Sequence, residues 1–461
     1  MANLQTISTG SAAGDGTGTP LNAAGVILNN NMTELASRSA LRILQADLAS
    51  RRAGAIAGKL NPRANAIYPS ATAPTLTATS ALPSGYAIAN ALPPASGTIA
   101  SYRPYLTWGP GWAANPGNGM VSVRDTTSSQ PNTNYASTAN ATNNVVRFSF
   151  NTDDPKPVIE IQGGTSPLRV IVDDQYLDMA GFVPGSGNIY LQIDFTKGAT
   201  LTPDLVLRRI VIETIQAVGR VVRSTKAYTV LADAAPGPRL VFQADSWSTT
   251  GGGQTLGLNT WTRIAADWLG LPVSSSNGLG GTGIATPLAS GVPNTTTTYP
   301  SRIPDLAQMG GIDVLVVGNV TNDWSALVGG TVTQSNYQTY VTNYLNSLRS
   351  ALPGTPIVFV SGGTTDETTT TTTTAEDNIA TIIASMNTAG DNRVRQVRVT
   401  KPANGGRSWF YGTGNSTSPA GDGNRDLYIG TVQAAHPNDA GHAYYGRRAA
   451  AEIYNAIMSM S

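Results

Sequence analysis

The 461-residue chain has no cysteine and only two histidines, His436 and His442. Disulfides and thiolate metal sites are therefore excluded. The two histidines stand six apart in "QAAHPNDAGHAYYG", a spacing that does not bring them together on a helix. No carboxylate cluster surrounds them, so no metal is expected. Charge is scarce as well: Asp, Glu, Lys and Arg make up 12% of the chain, about half the ordinary globular share, and the formal net charge is +1. Basic residues gather no further than pairs such as Arg51-Arg52 and Arg447-Arg448, which removes the electrostatic footprint of a nucleic-acid binder. No apolar run is long enough for a membrane span, and "MANLQTISTG" lacks the basic start and apolar core of a secretory signal.

What is present is Gly, Thr, Ser, Asn, Ala and Pro, a mixture that favours turns and β-structure. The length predicts roughly two to four domains. In residues 1–58, Val26, Ile27, Met32, Leu35, Leu41, Leu44 and Leu48 predict one or two amphipathic helices from about Leu21. Residues 59–141, rich in Pro, Thr and Ala, read as an extended connector in which Tyr102–Trp112 ("YRPYLTWGPGW") packs onto a neighbour. Residues 142–235 hold short β-branched or aromatic runs such as "VVRFSF", "VIEIQ", "IYLQIDF" and "RRIVIET", and predict an accessory β-sandwich or jelly roll. In residues 236–461, the strands "RLVFQA", "GIDVLVVGNV" and "PIVFVSG" alternate with helical stretches. That is the pattern of an α/β domain with a mainly parallel sheet.

In such sheets, chemistry sits at the C-terminal ends of strands. Ser246 follows "RLVFQAD", which also suits a helix cap or a turn. Gly280 and Gly281 lie in "SSSNGLGGTGI", where a backbone N–H can face an oxyanion or the loop can simply turn. Asn322 and Asp323 lie beyond the aliphatic run of "VLVVGNVTNDWS"; the Asn amide is an uncharged donor, and an Asx-turn is the plainer reading. His436 is held by Pro437 and Asn438 ahead of a helix. An imidazole there can act as a base at neutral pH, without which a serine is a poor nucleophile.

Taken together, residues of about 238–461 resemble the SGNH/GDSL hydrolase superfamily. Ala244-Asp245-Ser246 stands for its "G-D-S" block and Gly278-Leu279-Gly280-Gly281-Thr282-Gly283 for its glycine block. Asn322-Asp323 keeps the third block, with Val320 at the usual glycine. Gln433-Ala434-Ala435-His436-Pro437-Asn438 matches "D-x-x-H-P-N" with glutamine in place of aspartate. The resemblance implies a three-layer α/β fold and a serine esterase without metal or cofactor. Ser246 is then the nucleophile, His436 the base, and Gly281, Asn322 and the Ser246 N–H the oxyanion donors. Gln433 supports the imidazole without charge, or a backbone carbonyl or another carboxylate (Asp422, Asp426 or Asp439) replaces it. Asp245, Gly280, Asp323 and His442 have structural places beside the site, while Trp247 and Trp324 either line its mouth against sugar or pack into the core.

A shorter stretch is similar to a module of bacteriophage tail proteins: Asp15-Gly16-Thr17-Gly18-Thr19-Pro20-Leu21 and Asn30-Asn31-Met32-Thr33-Glu34-Leu35, with Thr19 and Met32 departing from its usual residues. It implies a virion tail fibre or spike, with other tail proteins as partners and a homotrimer as one arrangement. The expected activity is then O-deacetylation of an acetylated polysaccharide at the bacterial surface. Two alternatives stand beside it: a non-catalytic receptor-binding tail protein with a retired hydrolase fold, and a free secreted carbohydrate esterase.

Overall fold

The computed structural model describes residues 21–60, 73–92, 106–108, 114–115, 120–121, 146–164, 167–196, 206–214, 218–224, 228–233, 238–248, 259–271, 274–278, 280–286, 298–309, 311–319, 321–362, 370–400, 407–412, 414–415, 418–425 and 436–461. An N-terminal helix and a set of antiparallel strands precede a C-terminal α/β part.

Helix α1 (Leu21–Leu60) is continuous. Leu41, Leu44 and Leu48 share one of its faces and are buried against the α/β core. Gln45 Nε2 donates to the carbonyls of Ile457 (2.9 Å) and Met460 (3.2 Å), and Arg52 lies over the Tyr454 ring at 4.3 Å. The first half of α1 is barer, with Val26, Leu28, Met32 and Leu35 exposed.

The strands that follow are β1 (Thr75–Thr79), β2 (Ala91–Leu92), β3 (Leu106–Trp108), β4 (Ala114–Asn115), β5 (Met120–Val121), β6 (Val146–Thr152), β7 (Val158–Gly164), β8 (Arg169–Val172), β9 (Gln175–Tyr176), β10 (Gly185–Asp194), β11 (Arg208–Thr214), β12 (Val218–Val222) and β13 (Val230–Ala232). One antiparallel sheet runs β1-β10-β7-β12-β5-β4, and β6, β11, β8 and β9 run side by side in the other. Alternate side chains of both (Phe148 and Phe150, Ile159 and Ile161, Leu191 and Ile193, Ile210 and Ile212) meet in one buried core, as the two-residue period requires. Thr75–Thr79 has the composition of the expected connector but pairs with β10 as a sheet edge. Threonine alternation fits a half-buried pleat as readily as a loop.

The α/β part runs β14 (Leu240–Ala244), α2 (Trp261–Leu269), β15 (Ser274–Gly278), α3 (Ile303–Met309), β16 (Val314–Gly318), α4 (Thr321–Val328), α5 (Gln334–Ala351), β17 (Ile357–Ser361), α6 (Thr370–Thr388), β18 (Val394–Arg398) and α7 (Asp439–Met458). Its strands are parallel in the order β18-β17-β16-β14-β15. Phe242, Val316 and Val358 face the core shared with α1, α2 and α7; Val241, Leu315 and Phe359 face α3, α5 and α6. Three layers result. The order reverses between β14 and β16, and the C-terminal strand ends at such a reversal are where open α/β sheets carry their sites.

The two parts share a sheet. β3, from the aromatic segment 102–112, lies antiparallel to β6 and parallel to β15. A mixed sheet of 11 strands therefore crosses the junction. Glu213 of β11, fully buried there, pairs with Arg147 of β6 and Arg169 of β8 at 2.9 Å each, and also with Arg263 of α2.

Candidate active site

Four segments come together at the strand reversal. β14 ends at Ala244, and Ser246–Ser248 turns away at once as a single helical turn. Asp245 Oδ1 accepts from the Trp247 N–H (3.0 Å), and its carbonyl accepts from the Ser248 hydroxyl (2.8 Å), so the turn is closed on both sides of Ser246. Asp245, Trp247 and Ser248 are buried while Ser246 is only half-buried. Trp247 is fully enclosed, with Phe410 and Tyr445 edge-on at 5.9 and 5.5 Å. The sugar-contacting role expected for Trp247 is thus corrected: its indole is a core anchor that pins the turn.

His436 enters from the segment ahead of α7. Its Nε2 lies 2.7 Å from Ser246 Oγ. Asn438 caps α7, accepting from the Gly441 N–H at 3.0 Å, which fixes the backbone two residues past the imidazole. Burial pulls the His436 imidazole down to about 4, so it is neutral at neutral pH. Among the described residues no group pairs with His436 Nδ1. Gln433 and Asp426 lie outside the described residues. Asp422 is exposed, and Asp439 sits in the first turn of α7, within 3.4 Å of Asn259 Nδ2. His442 is fully buried, and its Nδ1 accepts from the Trp261 N–H at 3.2 Å. The two histidines have separate surroundings.

The third segment follows β15. Gly281 has φ +76°, the left-handed region that glycine occupies without strain. Gly280 beside it is buried. The fourth follows β16: Asn322 Nδ2 donates to the Thr282 carbonyl at 2.9 Å. An amide nitrogen carries two hydrogens, so this bond orients the group and leaves a second donor position. Asp323, fully buried, accepts from the backbone N–H groups of Ile284, Ala285 and Thr286 and from the Thr286 hydroxyl, at 2.8 to 3.0 Å. A Cβ on Gly283 would sit 2.3 Å from Asp323 Oδ1, so only glycine lets the loop close onto the carboxylate. Trp324 is half-buried on the first turn of α4.

Arg302 carries no signal in the sequence reading. Its side chain is fully buried, and Nη2 reaches both the Ala244 carbonyl (3.3 Å) and Thr282 Oγ1 (3.1 Å). Two carboxyls share this interior. Burial pushes Asp245 up to about 7, with Asp323 adding repulsion and Arg302 opposing it. Burial also raises Asp323, against the bonds it accepts. No cluster that could hold a metal ion occurs among the described residues, and no helix there is long and apolar enough to cross a membrane.

No family model and no curated protein matches the chain. Among solved structures, it is similar to a family two carbohydrate esterase from Clostridium thermocellum in complex with cellohexaose. That match has 18% identity, covers 69% of this chain and 94% of the other, and has a TM-score of 0.47. An acetyl xylan esterase from the rumen bacterium Butyrivibrio proteoclasticus matches at 12% identity over 68% and 90%, with a TM-score of 0.45. A family two carbohydrate esterase from Cellvibrio japonicus matches at 14% over 68% and 89%, with a TM-score of 0.41. At these identities and scores, the chemistry has to be read from this chain's own residues.

Proposed function

We propose that the protein is a serine ester hydrolase acting on acylated carbohydrate, with acetyl esters as the expected substrate class. The observation that carries the reading is the 2.7 Å contact between Ser246 Oγ and His436 Nε2 at the strand-order reversal. In this reading, the neutral imidazole takes the hydroxyl proton as Oγ attacks the ester carbonyl. The oxyanion forms toward the Ser246 and Gly281 N–H groups and the second hydrogen of Asn322 Nδ2. His436 then returns the proton to the departing sugar alkoxide, leaving an acyl-serine. Water attacks that ester by the same steps and frees the acid. Trp324 is the remaining aromatic assigned to the mouth.

The test is direct. Wild-type protein should hydrolyse p-nitrophenyl acetate in preference to longer acyl chains, release acetate from an acetylated bacterial polysaccharide, and take up one fluorophosphonate per chain. Ser246→Ala and His436→Ala should do none of these. Absence of all three in the wild type would favour the non-catalytic reading.

Nothing in this chemistry needs a virion, and a free carbohydrate esterase satisfies it. Attachment to a phage tail, with tail proteins or a homotrimer as partners, is the second reading. The exposed Val26, Leu28, Met32 and Leu35 on the tail-like stretch of α1 favour it. Removal of residues 1–36 separates the two, because Leu41, Leu44 and Leu48 stay in the core. An unchanged monomer with full activity would leave the free enzyme.

A further inference from the structure

A fully buried arginine beside the candidate site is costly unless something there uses it. Arg302 ends the single turn Pro300–Arg302, and its guanidinium lies 4.8 Å from the Tyr299 ring centroid. Nε faces the Thr298 carbonyl at 3.4 Å, and Nη2 is shared between the Ala244 carbonyl and Thr282 Oγ1. Ala244 is the last residue of β14, two before Ser246. Thr282 is next to Gly281, and its carbonyl orients the Asn322 amide at 2.9 Å. One buried cation therefore touches the strand that presents the nucleophile. It also touches the residue on which both proposed oxyanion donors of the other loops depend.

We propose that Arg302 is a positioning residue for the oxyanion site: by fixing Thr282 against Ala244 it aims the Gly281 N–H and the Asn322 amide at one point beside Ser246 Oγ. The inference rests on the esterase reading. It assigns Thr282 the relay, through its hydroxyl to Arg302 and its carbonyl to Asn322.

Thr282→Val removes the hydroxyl and keeps the shape, Arg302→Met removes charge and fork, and Arg302→Lys keeps the charge alone. Each is compared with wild type for kcat and KM on p-nitrophenyl acetate, for inhibition by phenylboronic acid as a tetrahedral adduct, and for melting. Thr282→Val is expected to lose about 10- to 100-fold in kcat with KM nearly unchanged, and boronate affinity should fall in step. Arg302→Met should lose more and Arg302→Lys should recover part of the loss. If Arg302→Met does not fold, Thr282→Val and Arg302→Lys decide the matter. Wild-type kcat and boronate affinity in those two, with lowered melting only, would overturn the inference and leave Arg302 structural. A wild type that neither turns over ester nor takes up fluorophosphonate would instead sink the esterase reading, and this inference with it.

Discussion

His436 Nε2 and Ser246 Oγ meet at 2.7 Å although 190 positions separate them in the chain. The imidazole is held low, at about 4, by burial, against 6.5 for the free group. The acid limb of kcat/KM is therefore expected well below 6.5, toward 4, because His436 stays unprotonated and able to accept a proton. Folding should follow the same group. An unfolded chain binds the proton below 6.5 and the native one only below about 4, so stability from this site is present above 6.5 and lost as pH falls through 4. A carboxylate against Nδ1 would stabilise the imidazolium and raise the limb. By the motif resemblance that sets residue 433 beside the histidine, Gln433→Asp is expected to move the limb upward and increase kcat. A wild-type limb at or above 6.5 would show that an anionic partner is already present.

Asp245 runs the other way. Its carboxyl is raised by burial to about 7 from 3.8, so the native state holds a proton that the unfolded state has released. That contribution is complete below 3.8 and disappears as pH rises through 7. Above 7, wild type carries a buried anion at a cost on the order of 4 kcal/mol. Asp245→Asn keeps the oxygen that accepts from the Trp247 N–H and removes this titration. Denaturant unfolding at several pH values should show the variant gaining on wild type between pH 4 and 7. Parallel curves would mean that Asp245 ionises in place without penalty.

The alternation of aliphatic strands with amphipathic helices in 236–461 was legible because each run is short, punctuated and of one period. Ser246, Asn322 and His436 could be singled out because the first two come just after aliphatic strands and the third stands before the Pro437-Asn438 turn that leads into a helix. Other features have no local signature. Trp247 beside Ser246 reads equally as mouth or core, and only the enclosure by Phe410 and Tyr445 decides it. Arg302 looks like any arginine in "YPSRIPDL", since burial of a charge depends on a carbonyl and a hydroxyl brought from elsewhere in the chain. The three residues of β3 are too few for a period, so the sheet that joins the two parts could not be read from them.

Gly283 and Asp323 make a pair in which each tolerates only the other. Gly283→Ala would drive a methyl into a carboxylate that four hydrogen bonds hold in place. Asp323→Ala would instead strand the three N–H groups of residues 284–286, at about 1–3 kcal/mol for each donor left dry. Both variants should lose activity steeply, about 100-fold or more, since the loop carries Gly281 and Thr282. The double variant is expected to be less damaged than the sum of the two, because the methyl then enters the space of the missing carboxylate. Simple additivity in a double-mutant cycle on melting would refute this coupling.

Glu213 offers the clearest test of how the antiparallel and α/β parts are joined. It is fully buried between Arg147, Arg169 and Arg263, while Asp267 adds pairs to Arg147 (3.1 Å) and Arg263 (3.0 Å). Three cations thus face two carboxylates, and removing Glu213 leaves one. Breaking a buried pair by deleting a single partner costs about 3–5 kcal/mol, much of it from the charge left behind. Glu213→Ala is expected to unfold at markedly lower denaturant, and Glu213→Gln to lie between it and wild type. Because the network is shielded from solvent, 1 M salt should not restore the loss, as it would for an exposed pair. Glu213→Ala with wild-type stability, or with stability recovered by salt, would place the cluster at the surface energetically and leave the shared sheet and α2 packing as the joint.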